Sequence, residues 1–139
     1  MKLGLGSYSY RWSIGHKDRT PSSPITCIEL LEITSNLELD VLQIADNMPV
    51  HNIETQTLDQ LYRTAQKQGI NLEIGMQSFS TESIKLYLDI AQRLDARILR
   101  IALDGNDVGT SDDIIAKEFK NILPIAEKIN CKIAIENHF

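Results

Sequence analysis

The sequence predicts an α/β fold built on a parallel sheet, in the order βαβαβαβαβ. Three observations predict it. Short apolar runs and longer amphipathic stretches alternate strictly along the chain. Strand starts recur roughly every 25 to 40 residues, the spacing of successive strand–helix units. The final stretch, Lys132-Ile133-Ala134-Ile135-Glu136-Asn137-His138-Phe139, reads as a buried strand that ends in polar, chemically capable side chains. Parallel sheets deliver their functional residues at the C-terminal ends of strands.

The first strand is read over Lys2 to Ser9, with Gly4 and Gly6 where a backbone or ligand comes close. These glycines do not form a dinucleotide fingerprint, because they lie inside the strand and the third glycine is missing. Tyr10-Arg11-Trp12 falls in the loop that follows, and the stretch to Pro24 is turn-rich. Thr26 and Glu29 form a capping-box pair that opens a helix running to about Leu37. A second strand covers Val41 to Ala45, and Asp46-Asn47-Met48-Pro49 reads as its closing turn. Thr57 is read as the cap of the next helix, whose stripe is Leu58, Leu61, Tyr62 and Ala65, and Gly69 stops it. The third strand is Asn71 to Met76. Thr81 is read as the cap of a helix with Ile84, Tyr87, Leu88, Ala91 and Leu94 on one face. Arg97 to Leu103 is the fourth strand. Ser111 opens a last helix on Ile115, Phe119, Ile122, Ala126 and Ile129, which Pro124 should kink or divide.

This pattern makes residues 1–139 a single domain with two candidate architectures. An open, doubly wound sheet of five strands suits the length. The N-terminal half of a TIM (β/α)8 barrel suits the absence of a covering helix after the fifth strand, since parallel strands bury both faces. Hydrophobic residues are 42% and charged residues 24%, as in a globular protein. The net charge of -5 and the lack of a basic run argue against a nucleic-acid partner. No stretch approaches a membrane span. Cys27 and Cys131 are read as core thiols, and the start has no secretory h-region, so the expected location is cytoplasmic.

Four stretches together resemble the sugar phosphate isomerase/epimerase family, the xylose isomerase-like TIM barrels. They are Leu5-Gly6-Ser7-Tyr8-Ser9-Tyr10-Arg11-Trp12, Val41 to Pro49, Leu88 to Ala102, and Ile133 to His138, in the family's order. The resemblance implies metal-assisted proton transfer next to a sugar carbonyl. It implies a divalent metal (Mn, Mg, Co or Zn) in the complete barrel, with Glu136 as catalytic carboxylate and metal ligand and further ligands on later strands. It also implies substrate contacts from Trp12, His51, Arg100, Asn137 and His138, with Arg100 pointing into the barrel to pair with Glu73 or Glu136. The partner would be a small sugar or sugar phosphate. The match stops at the fifth strand, so the expectation is a truncated barrel, weakly active or inactive alone. The alternative is a non-catalytic half-barrel that self-associates as a homodimer through unpaired edge strands.

Overall fold

A computed structural model describes residues 2–15, 19–77, 79–103 and 111–136. Strand β1 is Gly4–Gly6, followed by a 3-10 turn at Ser7–Tyr10 and a short helix α1 at Arg11–Ile14. Then come α2 (Cys27–Asn36), β2 (Val41–Ile44), a 3-10 turn (Val50–Asn52), α3 (Thr55–Gln68) and β3 (Asn71–Gln77). The chain continues through α4 (Thr81–Leu94), β4 (Ile98–Ala102), α5 (Asp112–Lys128) and β5 (Lys132–Glu136).

The five strands form one sheet in the order β1-β2-β3-β4-β5, and every neighbouring pair is parallel. This order decides between the two architectures. A doubly wound sheet reverses its strand order at a switch point, which moves helices to the opposite face. Here the order never reverses. Crossovers of one hand therefore put the helices on one face, where α2 packs on α3, α3 on α4, and α4 on α5. This is the architecture of half a (β/α)8 barrel.

Alternation along the strands then fixes the two faces. Leu42, Ile44, Leu72, Ile74, Leu99 and Ile101 point to the helices and are buried. They meet Leu30, Leu61, Ile84, Leu88 and Leu94 in one core. The intervening residues, among them Gln43, Glu73, Gly75, Gln77 and Arg100, line the other face. Register places Gly75 beside Arg100, and Ala102 beside both Gln77 and Glu136. Gly4 is needed at its position, because a Cβ there would lie 2.9 Å from the Val41 Cβ.

The helix starts differ from the sequence reading in two places. Thr26 and Glu29 do form the reciprocal capping box of α2. Helix α3 starts at Thr55 instead, because the Leu58 amide already donates to the Glu54 carbonyl at 3.0 Å. The cap of α4 is Ser80, which accepts from the Ser83 amide, while the Thr81 hydroxyl donates to Glu118 on α5. Gly69 ends α3 at φ 71, as its position required. Pro124 does not divide α5, which runs unbroken to Lys128. Pro124 and Lys120 are both exposed, so the carbonyl that loses its donor has access to water. The first strand is shorter than its sequence pattern suggests, since the chain turns at Ser7.

The helix-side core has little cover at its ends. Ile135 on β5 is 53% exposed and Leu3, just before β1, is 59% exposed. Both belong to edge elements of the sheet, where no further strand or helix is described beside them.

The capping box gives a direct test of the α2 assignment. Thr26→Ala should lower unfolding stability by about 1 kcal/mol, read as a shift in the urea midpoint at constant slope. A midpoint within error of the parent would remove the cap from the account.

Candidate functional site

The C-terminal ends of β1 to β5 surround a cleft of about 690 Å³ on the face away from the helices. Its centre is Arg100. The side chain leaves the middle of β4 and lies across Gly75 on the neighbouring strand. A Cβ at residue 75 would sit 3.0 Å from Arg100 Nε and 3.1 Å from Nη2. Glycine at 75 therefore leaves the room in which the guanidinium lies.

Two carboxylates hold this guanidinium, one from each direction along the strand order. Nη2 donates to Asp46 Oδ1 at 3.0 Å, and Nη1 donates to Glu136 Oε2. Asp46 follows β2 and Glu136 ends β5, so one side chain ties together β2, β4 and β5. The Arg100 and Asp46 side chains are only 16% and 18% exposed, so water screens their attraction less than at an open surface. Nε, buried against Gly75, has no hydrogen-bond partner among the described residues. Leaving such a donor unpaired costs about 1–3 kcal/mol. The two charge-assisted bonds from Nη1 and Nη2 oppose that cost.

Asp46 also receives the Tyr8 hydroxyl at 2.5 Å. Tyr8 sits in the 3-10 turn after β1. Burial, the hydrogen bond to Asp46 and the charge of Asp46 push its pKa up to about 12, and Arg100 partly opposes them. The same turn is pinned by Ser7, which is fully buried. Its hydroxyl accepts from the Ala45 amide at 2.9 Å and donates to Asn47 Oδ1 at 2.5 Å. Gln43 donates to Glu73 Oε2 at 3.1 Å.

The structure brings Arg100 and Glu136 together, as the sequence suggested, but Glu73 pairs with Gln43 instead of Arg100. Trp12 and His51 are not among the residues that line this cleft. Trp12 lies on α1 and is 56% exposed. It carries the Arg11 guanidinium 4.7 Å from its ring centre. The His51 ring meets the Tyr87 hydroxyl, with Nδ1 at 2.8 Å. Tyr87 is buried on α4, and burial and the charge of Asp46 raise its pKa to about 12. Asn137 and His138 lie outside the described residues.

Asp46 and Tyr8 are functional candidates that the sequence reading passed over. Asp46 was read as a turn residue. The signal was present: both follow a strand's C-terminal end, the rule that singled out Glu136. Cys27 and Cys131 are buried free thiols whose pKa burial raises, as inert core cysteines should be.

Among the described residues no three His, Cys, Asp or Glu side chains gather as a metal cage. The two carboxylates at the cleft are instead wrapped around a guanidinium. No helix of the described residues is long and apolar enough to cross a membrane.

Fold and site together define a class, the half-barrel whose polar mouth holds a fixed ion-pair network. Comparison with known proteins narrows the fold. The chain is 28% identical over 138 residues to the 3-oxo-isoapionate decarboxylase of Pectobacterium atrosepticum, covering 99% of this chain and 49% of that protein. It superposes on D-psicose 3-epimerase from Clostridium cellulolyticum H10 with a TM-score of 0.69 and 18% identity, covering 96% of this chain and 51% of the other. A xylose isomerase domain-containing protein of Salmonella typhimurium gives a TM-score of 0.65 at 12% identity, over 96% and 48% of the two chains. No family model matches. The chain has the fold of xylose isomerase-like TIM barrels and spans about half the length of the curated relative it matches.

Alkaline stability tests the Tyr8–Asp46 contact. Both shifted phenols ionise about 2 units later in the folded chain than the ordinary 10.0. The unfolded chain therefore releases these protons first. The two phenols contribute no change below about pH 10 and make stability fall as pH rises from 10 to about 12, on top of the fall that the buried thiols of Cys27 and Cys131 begin above 9.0. Tyr8→Phe should make that fall shallower in urea titrations at successive pH values. An unchanged slope would show that Tyr8 is not held against Asp46.

Proposed function

We propose that this chain supplies five strand–helix units of a sugar-modifying barrel enzyme, with a sugar bound at the mouth of the sheet and reacting next to its carbonyl. The observation that carries the reading is Arg100 fixed between Asp46 and Glu136 at the strand ends of this particular fold. The relatives favour it too. One is an epimerase of a ketose and another a decarboxylase of a 3-oxo sugar acid. Removing a proton beside a carbonyl, and losing carboxylate from a 3-oxo acid, both leave an enolate. Either reaction is helped by a fixed positive charge or hydrogen-bond donor at the carbonyl oxygen.

In this reading Arg100 faces the developing oxyanion and Glu136 moves the proton at the neighbouring carbon. Asp46 is a positioning residue. It holds Arg100 on one oxygen and Tyr8 on the other. Tyr8 keeps its proton far above neutrality and presents a hydroxyl to the cleft. Gln43 and Gln77 line the cleft with amides that can both donate to and accept from sugar hydroxyls.

Of the ligands that the resemblance implies for a divalent cation, this chain supplies Glu136, and among the described residues that carboxylate is paired with Arg100. Glu136 and Asp46 already neutralise Arg100, and a cation between them would have to share the space with a guanidinium. A catalytic metal needs several protein ligands in fixed geometry. The proton chemistry above is therefore derived from the side chains alone.

The chain covers about half of its relatives, so slow turnover is expected from it by itself. Solvent-deuterium incorporation beside the carbonyl of a ketohexose, followed by proton NMR, tests the roles. Glu136→Gln should lower the rate by about 10²-fold or more. Exchange that survives this change at the parent rate would take the proton from Glu136. Fast turnover of the parent chain with added Mn²⁺ or Mg²⁺ would contradict the metal reading.

A second reading is a half-barrel that pairs with its own copy and has no catalytic role. The exposure of Leu3 and Ile135 at the two open edges favours it. It requires a dimer by light scattering at micromolar concentration, dispersed by Ile135→Lys. A monomeric mass would sink it.

A further inference from the structure

We propose that Ser7 is a positioning residue of this site: its buried hydroxyl grips the chain on both sides of Asp46 and so sets where the Arg100 guanidinium stands in the cleft. The role in catalysis rests on the reading above, in which Arg100 faces the oxyanion. The grip itself does not depend on that reading.

Asp46 has no strand or helix to hold it. Strand β2 stops at Ile44. Asp46 and Asn47 are the middle residues of a tight turn, which the Met48 amide closes onto the Ala45 carbonyl at 3.0 Å. That one bond closes the turn but leaves its tilt on the sheet open.

Ser7 fixes the tilt. The Ala45 amide donates to Ser7 Oγ at 2.9 Å, and Ser7 Oγ donates to Asn47 Oδ1 at 2.5 Å. The residue before Asp46 and the residue after it are thus tied to one oxygen. The directions of these bonds are forced. The Ser7 carbonyl can only accept, so Asn47 turns its NH2 to it, at 3.3 Å. Asn47 Oδ1 then faces the hydroxyl, which gives its one proton there and keeps a lone pair for the Ala45 amide. Tyr8, the next residue, donates to Asp46 Oδ2 at 2.5 Å, while Oδ1 accepts from Arg100 Nη2 at 3.0 Å.

Burial makes the hydroxyl hard to replace. Ser7 and Thr34 are both fully buried. Thr34 donates to the Leu30 carbonyl one turn back in α2, a bond that a helix interior supplies locally. Ser7 instead reaches residues 38 and 40 positions away. Without its oxygen the buried Ala45 amide loses its acceptor and Asn47 Oδ1 its donor. That cost drives the turn, and Asp46 with it, to shift toward new partners.

Asp46→Asn, Arg100→Gln and the double variant give the coupling of the two side chains as a ratio of folding equilibrium constants in urea. The cycle is repeated in Ser7→Ala and in Thr34→Ala, the latter a control that removes a fully buried hydroxyl on α2. We expect a coupling of about fivefold or more in the parent and in Thr34→Ala, and less than about twofold in Ser7→Ala. Asn47→Ala removes half of the grip and stands in if Ser7→Ala does not fold, and its coupling should fall as well. Coupling at the parent value in whichever variant folds overturns the inference. An equal loss in Thr34→Ala also overturns it, because any lost buried hydroxyl would then act alike. Deuterium exchange beside the ketohexose carbonyl should slow about tenfold or more in Ser7→Ala, with Thr34→Ala at the parent rate. Exchange at the parent rate in Ser7→Ala overturns the positioning role. No exchange by the parent chain sinks the sugar reading alone, and the coupling then decides the inference.

Discussion

The guanidinium of Arg100 is the interaction on which the site depends. It leaves β4, crosses Gly75 on β3, and reaches Asp46 after β2 and Glu136 at the end of β5. Four of the five strands therefore meet at one side chain. A long cation on the concave face would be a liability in an apolar barrel interior, where an unpaired charge is heavily penalised. Here it is matched twice and its screening by water is limited. The same pairing gives the mouth a defined shape, because Asp46 passes the constraint on to Tyr8, and Tyr8 lies in the turn that leads into α1.

The fold makes this meeting possible. A sheet wound in one direction puts all its covering helices on one side. The other face is then free to carry polar residues, and the alternation of Leu72, Ile74 and Met76 with Glu73, Gly75 and Gln77 on β3 shows the division along one strand. In a doubly wound sheet both faces would carry helices, and a residue such as Arg100 in mid-strand would lie beneath one. The polar face and the strand order are one fact seen at two scales.

Much of this was legible in the sequence. The capping box at Thr26 and Glu29, the stripe from Ile84 to Leu94 and the stop at Gly69 are local signals, fixed by backbone hydrogen bonding and helical period, and they read correctly. The start of α3 at Thr55 and the cap of α4 at Ser80 were misplaced because several hydroxyls and carboxylates compete at each end, and tertiary contacts choose among them. Thr81 is an example, since α5 takes its hydroxyl through Glu118. The pairing of Arg100 with Glu136 was legible because both interrupt apolar strand patterns. Asp46 and Tyr8 were not, because an Asp before Asn and Pro looks like a turn, and its partners lie 38 and 54 residues away. Trp12 and His51 were placed at the mouth by their position after strands. In the structure Trp12 lies on α1 and His51 meets the Tyr87 hydroxyl, and neither lines the cleft.

The account requires that Asp46 and Arg100 stabilise the folded chain through each other. A double-mutant cycle of Asp46→Asn and Arg100→Gln, read by urea unfolding, measures that directly. A coupling of about 1 kcal/mol or more, within the range for contacting residues, is the predicted result. Strictly additive losses would mean that the two side chains do not meet, and the ion-pair centre of this site would have to be abandoned.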